Sequence, residues 1–362
     1  MPNEIVIERM QMRDMDAVLS FLARSYPDNP RHSDPNFWAW HFLKPPAADD
    51  ASPAVWLAKS GHQIAGQMAG LPVELFIDGE KRNALWALDF IVDPEFRRRG
   101  IGKKLALAME ADFPYLLGVN TDEQHAPALL QSLGWVKVAR IPRFHRLLYP
   151  GNAVREIARV RPLRKTVNVL SAPMRRRRVG NAGAADIRVI EGFNESFDRF
   201  WETAASQWPC AVGRNKSYLD WQFRRQPGKR FDVIARFDGN HVLGYAVLFF
   251  RKPDANGVIA KAAISDLCYG PERPVETVDL LIDAAVELAI KRKAGGLVTD
   301  ATDKLLQERL KKLGFWPIKS PLQLMAKVPE NADTVYDIQN WYLTRGDSDI
   351  SIFEDPNLDL DA

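Results

Sequence analysis

Arg97-Arg98-Arg99-Gly100-Ile101-Gly102-Lys103 is the stretch best equipped for chemistry. An apolar run from Leu85 to Val92 precedes it and reads as a buried strand, closed by Asp93-Pro94. Proline offers no N–H and turns its neighbour away from helix. Beyond the loop, Ile101, Leu105, Ala108 and Met109 recur at helical spacing. Glycines here let a backbone approach a ligand closely, and the N–H groups of a helix's first turn converge on an anion. The three arginines add positive charge at the same place. Such a site suits a pyrophosphate. A glycine pair before a helix is weak as a motif, and the plainer alternative is a strand–loop–helix joint with solvated arginines.

The elements that must position this loop are legible on both sides of it. Ile5–Met10 alternates as a short strand, and a helix runs from Arg13 to Tyr26 with acids at its N-terminus. Ser33-Asp34-Pro35 caps an aromatic helix, Phe37–Phe42. Ala54–Lys59 and Ile64–Ile77 are strands, with Ser60-Gly61 and Asp78-Gly79 as turns. After the loop and its helix come a strand over Pro114–Asn120, a helix over Pro127–Leu133 and a strand over Trp135–Arg140.

In this order and in its Arg-x-x-Gly-x-Gly loop, the chain from Ile5 to about Leu148 resembles the GNAT acyltransferase superfamily. The resemblance implies acetyl-CoA or another acyl-CoA as co-substrate. Its pyrophosphate would lie on Arg97, Arg98, Arg99, Gly100, Ile101, Gly102 and Lys103, and its pantetheine arm along Phe90, Ile91 and Val92, with Asn120 as a polar contact. It implies transfer to a primary amine, which requires a base for the ammonium proton. The family's carboxylate on the strand before the loop falls on Asp89. The family's tyrosine acid falls on Leu130, which cannot donate a proton; Tyr115 and His125 are the nearest substitutes. Trp38, Trp40, His41 and Trp86 either line an acceptor pocket or belong to the core. No metal is implied.

The chain also echoes itself. Phe37–Phe42 meets Tyr218–Phe223, Ile64-Ala65-Gly66 meets Val242-Leu243-Gly244, Leu88-Asp89-Phe90 meets Ser265-Asp266-Leu267, and Leu133-Gly134-Trp135 meets Leu313-Gly314-Phe315, all about 180 positions apart. The fold class expected is therefore α/β (α+β): two GNAT folds in tandem, each a mixed, mostly antiparallel sheet flanked by helices. The copies would span residues 1–150 and 185–329, with a basic linker over 151–184 and a tail over 330–362. The rear copy replaces the glycine loop with Tyr269-Gly270-Pro271-Glu272-Arg273-Pro274-Val275-Glu276. Two prolines remove donors and two glutamates oppose a phosphate, so this copy is expected to lack the cofactor and to shape the acceptor site or a homodimer.

A net charge of +3 argues little for nucleic acid, and no apolar run reaches the ~20 residues of a membrane span. The basic stretch Arg155–Arg178 reads as an exposed linker helix rather than a lipid or nucleic-acid contact. The tail segment Trp341–Asp349 either folds over a cleft or packs as a terminal turn. Two cysteines, Cys210 and Cys268, form no framework and fit buried thiols in a reducing, cytoplasmic setting. The acceptor expected is a small metabolite or amino sugar. Rival readings are a CoA-binding regulator without turnover and a FemAB-like aminoacyl transferase, which also pairs two GNAT folds.

Overall fold

The computed structural model describes residues 4–48, 52–120, 126–172 and 186–350. In chain order the strands are β1 (Ile5–Arg9), β2 (Val55–Ser60), β3 (Gln63–Ile77), β4 (Glu80–Val92), β5 (Tyr115–Asn120), β6 (Val136–Arg140), β7 (Arg143–Leu147), β8 (Asp186–Ile190), β9 (Cys210–Val212), β10 (Phe231–Asp238), β11 (His241–Phe250), β12 (Lys261–Tyr269), β13 (Gly296–Asp300), β14 (Trp316–Ile318), β15 (Gln323–Lys327) and β16 (Trp341–Tyr342). The helices are α1 (Met15–Ser25), α2 (Pro35–Leu43), α3 (Ile101–Asp112), α4 (Ala126–Ser132), α5 (Pro150–Ala153), α6 (Arg155–Arg159), α7 (Arg161–Leu170), α8 (Ser196–Ala204), α9 (Lys216–Phe223), α10 (Pro274–Lys291) and α11 (Lys304–Lys312). The chain divides into two units. The front one holds Met1–Arg140, Arg225–Lys229 and Pro321–Ile338; the rear one holds Ile141–Arg224, Arg230–Ser320 and Gln339–Ala362.

In the front unit the sheet runs β1-β2-β3-β4-β5-β15-β6. Every neighbouring pair is antiparallel except β4·β5, which is parallel. α1 buries Val18, Phe21 and Leu22, the i, i+3, i+4 set of an amphipathic helix, together with Trp38 and Phe42 of α2. Asp34 caps α2 by accepting from the Phe37 amide at 2.8 Å, and Pro35 takes the first helical position, where no N–H is needed. α3 covers a separate cluster with Ile101, Leu105, Ala106 and Met109. β3 and β4 turn on Asp78 and Gly79, both at positive φ (50° and 82°), as a tight hairpin demands.

In the rear unit the sheet runs β8-β10-β11-β12-β13-β7-β14, again antiparallel throughout except for β12·β13. Read from its first strand, this is the front order with one difference. The place next to the splayed parallel pair is taken by β7 in the rear sheet and by β15 in the front sheet. The contiguous boundaries read from the sequence, at 150 and 329, therefore misplace one strand each. β15 is a core element where it stands: Leu324, Met325 and Ala326 are fully buried, and Lys327 Nζ reaches Glu110 of α3 at 2.7 Å. The span expected as a free linker is likewise built into the rear unit from residue 151 to 170. The Asn152 amide donates to the Lys293 carbonyl at 2.6 Å, and Asn168 bonds both Gly151 and Asn152. The arginine run at 175–178 lies outside the described residues.

Candidate active site

β4 and β5 pair in parallel only from Ala84↔Tyr115 to Trp86↔Leu117, and beyond Trp86 they part. The strand edge left open runs along Asp89, Phe90, Ile91 and Val92. A register shift opposite Met68 marks a bulge on β4, and Asp89 sits in it with φ +42°. A bulge of this kind bends the strand and re-aims a side chain. Asn120 ends β5 on the far lip of the opening, buried and paired with Gln323.

The open strand leads directly into the glycine loop. Arg97 Nε donates to the Val92 carbonyl at 3.1 Å, and the Asp93 carboxylate accepts from the Glu95 amide at 3.0 Å. Arg99 lies over the Phe96 ring at 5.1 Å. Arg97, Arg98, Arg99 and Lys103 are all exposed. Gly100 precedes α3 in the left-handed region (φ +73°), and a Cβ placed on it would meet nothing within 4 Å. Gly102 differs: a Cβ there would stand 2.8 Å from the Phe90 ring and 3.2 Å from Leu129. The two glycines, given one role from the sequence, thus have two. Gly100 makes the turn and leaves open space before the helix, while Gly102 lets α3 pack on β4. The first N–H groups of α3 have no intrahelical acceptor and stand beside exposed guanidinium groups, an arrangement that suits an anion.

The matching place in the rear unit is built from different residues. α10 begins with Pro274, which has no N–H, and Glu276 in its first turn pairs with Arg236 at 2.8 Å. The splayed strands β12 and β13, paired only from Lys261↔Gly296 to Ala263↔Val298, are bridged by the chain's own tail. Thr344 donates to Asp266 at 2.7 Å, the Tyr342 hydroxyl donates to the Leu267 carbonyl, and the Leu343 amide donates to Thr302 at 2.8 Å. Asp266, the counterpart of Asp89, is further held by Tyr245 at 2.7 Å and by Arg214, whose other arm bonds Asp347 at 2.6 Å. Burial pushes the Asp347 carboxyl up to about 6.

Asp89 is held far more loosely. Its side chain, 8 % exposed, meets His32 Nδ1 at 3.6 Å, beyond a good hydrogen bond. His32 stacks on Tyr26 at 4.1 Å. His41, fully buried on α2, is pushed down to about 4 by desolvation, with the negative charge of Asp89 opposing that shift. Gln67 stands on β3 where the rear unit has Tyr245. It is fully buried, and neither its oxygen nor its nitrogen finds a partner among the described residues. His32 and Gln67 escaped the sequence reading. A histidine in a short Pro-Arg-His-Ser turn carries no spacing signal, and Gln67 shows itself only as a polar residue inside an apolar strand.

Other expected site residues lie elsewhere. Tyr115 pairs with Ala84 at the closed end of the parallel pair, near Arg82. Five residues of strand separate that end from Asp89, ~16 Å at the usual rise, so the structure does not bring Tyr115 and Asp89 together. His125 lies outside the described residues. Trp38, Trp40 and Trp86 are 1 %, 2 % and 0 % exposed, which makes them core rather than pocket lining. The indole nitrogens of Trp38 and Trp86 find no partner among the described residues.

Residues 6–114, which include the splayed strand and the glycine loop, match the family model of the acetyltransferase (GNAT) domain. The front unit carries a GNAT acetyltransferase domain. No curated protein matches the chain. Solved structures resemble it in fold. One is a protein of Enterococcus faecalis described as a probable N-acyltransferase, at TM-score 0.61 and 11% identity over 90% of this chain and 73% of that one. A GCN5-related N-acetyltransferase from Anabaena variabilis has TM-score 0.61 and 12% identity over 89% and 72%. The N-myristoyltransferase of Saccharomyces cerevisiae, solved with bound myristoyl-CoA, has TM-score 0.56 and 11% identity over 90% and 84%. The GNAT match and these neighbours support an acyltransferase enzyme.

Proposed function

We propose that the chain is two copies of the GNAT fold. In this reading the front copy binds acetyl-CoA, or another acyl-CoA, and passes the acyl group to a primary amine of a small metabolite or amino sugar. The observation that carries the proposal is the contrast between the two helix starts. α3 offers free amides, an open space before Gly100 and three exposed arginines, whereas α10 offers a proline and a paired glutamate. The pyrophosphate would lie on the Arg97–Lys103 backbone and the pantetheine arm along the free edge of Phe90–Val92. When bound, the thioester supplies the activated carbonyl.

The protein's own part is to hold the amine and take its proton. Asp89, aimed by the bulge and with His32 no nearer than 3.6 Å, accepts the ammonium proton. The amine nitrogen then bonds to the carbonyl carbon, the carbon–sulfur bond breaks, the sulfur keeps the electron pair, and the second nitrogen proton passes to water. Leu130 is buried in the α3 cluster, so no acid stands at the family's tyrosine position. A thiol with a pKa of about 8.5 is acidic enough for its thiolate to leave unaided. The rear copy, whose cleft the tail spans, holds no acyl-CoA in this account.

Calorimetry with acetyl-CoA followed by thiol release across a panel of amines tests the proposal. The expected result is one site per chain and turnover with at least one amine. Binding without turnover across a broad panel would leave a CoA-responsive regulator, the reading that Leu130 favours. Absence of binding would remove the proposal altogether.

A further inference from the structure

The segment α5–α7 of the rear unit is amphipathic in an inverted sense. α7 faces its own unit with polar groups: Asn168 accepts from the Gly151 amide at 2.8 Å and donates to Asn152 at 2.9 Å. A Cβ on Gly151 would stand 2.5 Å from the Arg164 carbonyl, so α5 and α7 touch backbone to backbone on this side. Of the four leucines and valines of α7, three are turned outward and Val167 is half-buried. Leu163 is 47 % exposed, Val169 71 % and Leu170 75 %, with Val154 and Val160 exposed beside them, and no residue of α7 is buried. A helix whose packing were its only task would bury the leucines and leave the asparagine in water.

The charge of the segment is mostly of one sign. From Arg155 to Ala172 the sequence holds Arg155, Arg159, Arg161, Arg164 and Lys165 against one acid, Glu156. Arg159, Arg161 and Lys165 are exposed. Apolar side chains without aromatic rings suit nucleic acid poorly, because bases bind by stacking. Exposed leucine and valine on a helix that also carries exposed cationic side chains suit the headgroup region of a bilayer, where long cationic stems reach phosphates while the apolar residues enter the acyl boundary.

We propose that α6 and α7 dock the protein on an anionic lipid surface. Among the described residues no helix is long and apolar enough to cross a membrane, so the contact is peripheral. The proposal stands apart from acyl transfer, since none of these residues lies in the front unit.

Sedimentation with vesicles tests it, comparing phosphatidylcholine alone with phosphatidylcholine containing phosphatidylglycerol. The full chain should partition onto the anionic vesicles and be released as salt rises. The exposed pair Leu163→Gln/Leu170→Gln should weaken partition at least ~10-fold, and so should Arg161→Gln/Lys165→Gln, with unchanged melting curves. No partition onto anionic vesicles would overturn the proposal. So would equal partition onto neutral vesicles, wild-type partition by the leucine pair, or binding confined to RNA.

Discussion

Replacing Gly100 separates the backbone and charge contributions to the anion cradle. The residue sits at φ +73° with nothing within 4 Å of an added Cβ, so a side chain there meets no steric obstacle. Gly100→Ala bears the left-handed strain alone, roughly 1–2 kcal/mol. That strain falls on the free and the liganded protein alike, so CoA affinity should change by less than about tenfold. Gly100→Glu bears the same strain and adds a carboxylate at the mouth of the cradle. At a separation of about 5 Å from one phosphate charge, repulsion costs about 0.8 kcal/mol at the dielectric of water and about 3 kcal/mol at an effective value of about 20. The glutamate variant should therefore bind CoA roughly four- to two-hundredfold more weakly than the alanine variant, with the gap narrowing in salt. Titration calorimetry gives the affinities, and urea melts verify that both variants lose the same stability. Equal affinities in the two variants would refute a pyrophosphate at this helix start.

Asp89→Asn should lower the acyl-transfer rate about 10²–10⁴-fold with a much smaller change in acyl-CoA affinity; an unchanged rate would show that Asp89 is structural. His41 is pushed down to about 4 from 6.5, so its neutral form is favoured by folding. Its contribution, about 3 kcal/mol, is whole above about pH 6.5 and is lost as pH falls through 4, and stability measured across that window should fall less in His41→Phe. Arg214→Met leaves Asp266 and Asp347 buried without their cation and should cost about 3–5 kcal/mol; a loss below about 1 kcal/mol in a denaturant melt would contradict the network.

Most of the front sheet was legible because its strands and helices carry strong periodicity and clear stops. The Asp93-Pro94 stop and the spacing of Ile101, Leu105 and Met109 located the loop, and the structure has the strand, the turn and the helix there. The placement of β7 and β15 was not legible for a specific reason. Arg143–Leu147 and Gln323–Lys327 are short strands about 180 positions apart, and each fills the same kind of slot beside a splayed pair. Exchanging equivalents leaves every local pattern unchanged. The tryptophans illustrate a different limit: an aromatic residue suits a pocket and a core equally well, and only burial separates them. Asp89 and Asp266 look alike in sequence and differ in their surroundings, since Arg214, Tyr245 and Thr344 bond the second while His32 stands 3.6 Å from the first. Those partners come from distant segments, which spacing cannot bring together.

The most direct test of the account is a crystal structure of the full chain grown with acetyl-CoA. The expected result is the pyrophosphate on the amides of residues 100–103, the pantetheine arm along Phe90–Val92, and the tail still bonded to Asp266 in the rear unit. Pyrophosphate density at Tyr269–Glu276, or at neither helix start, would contradict it.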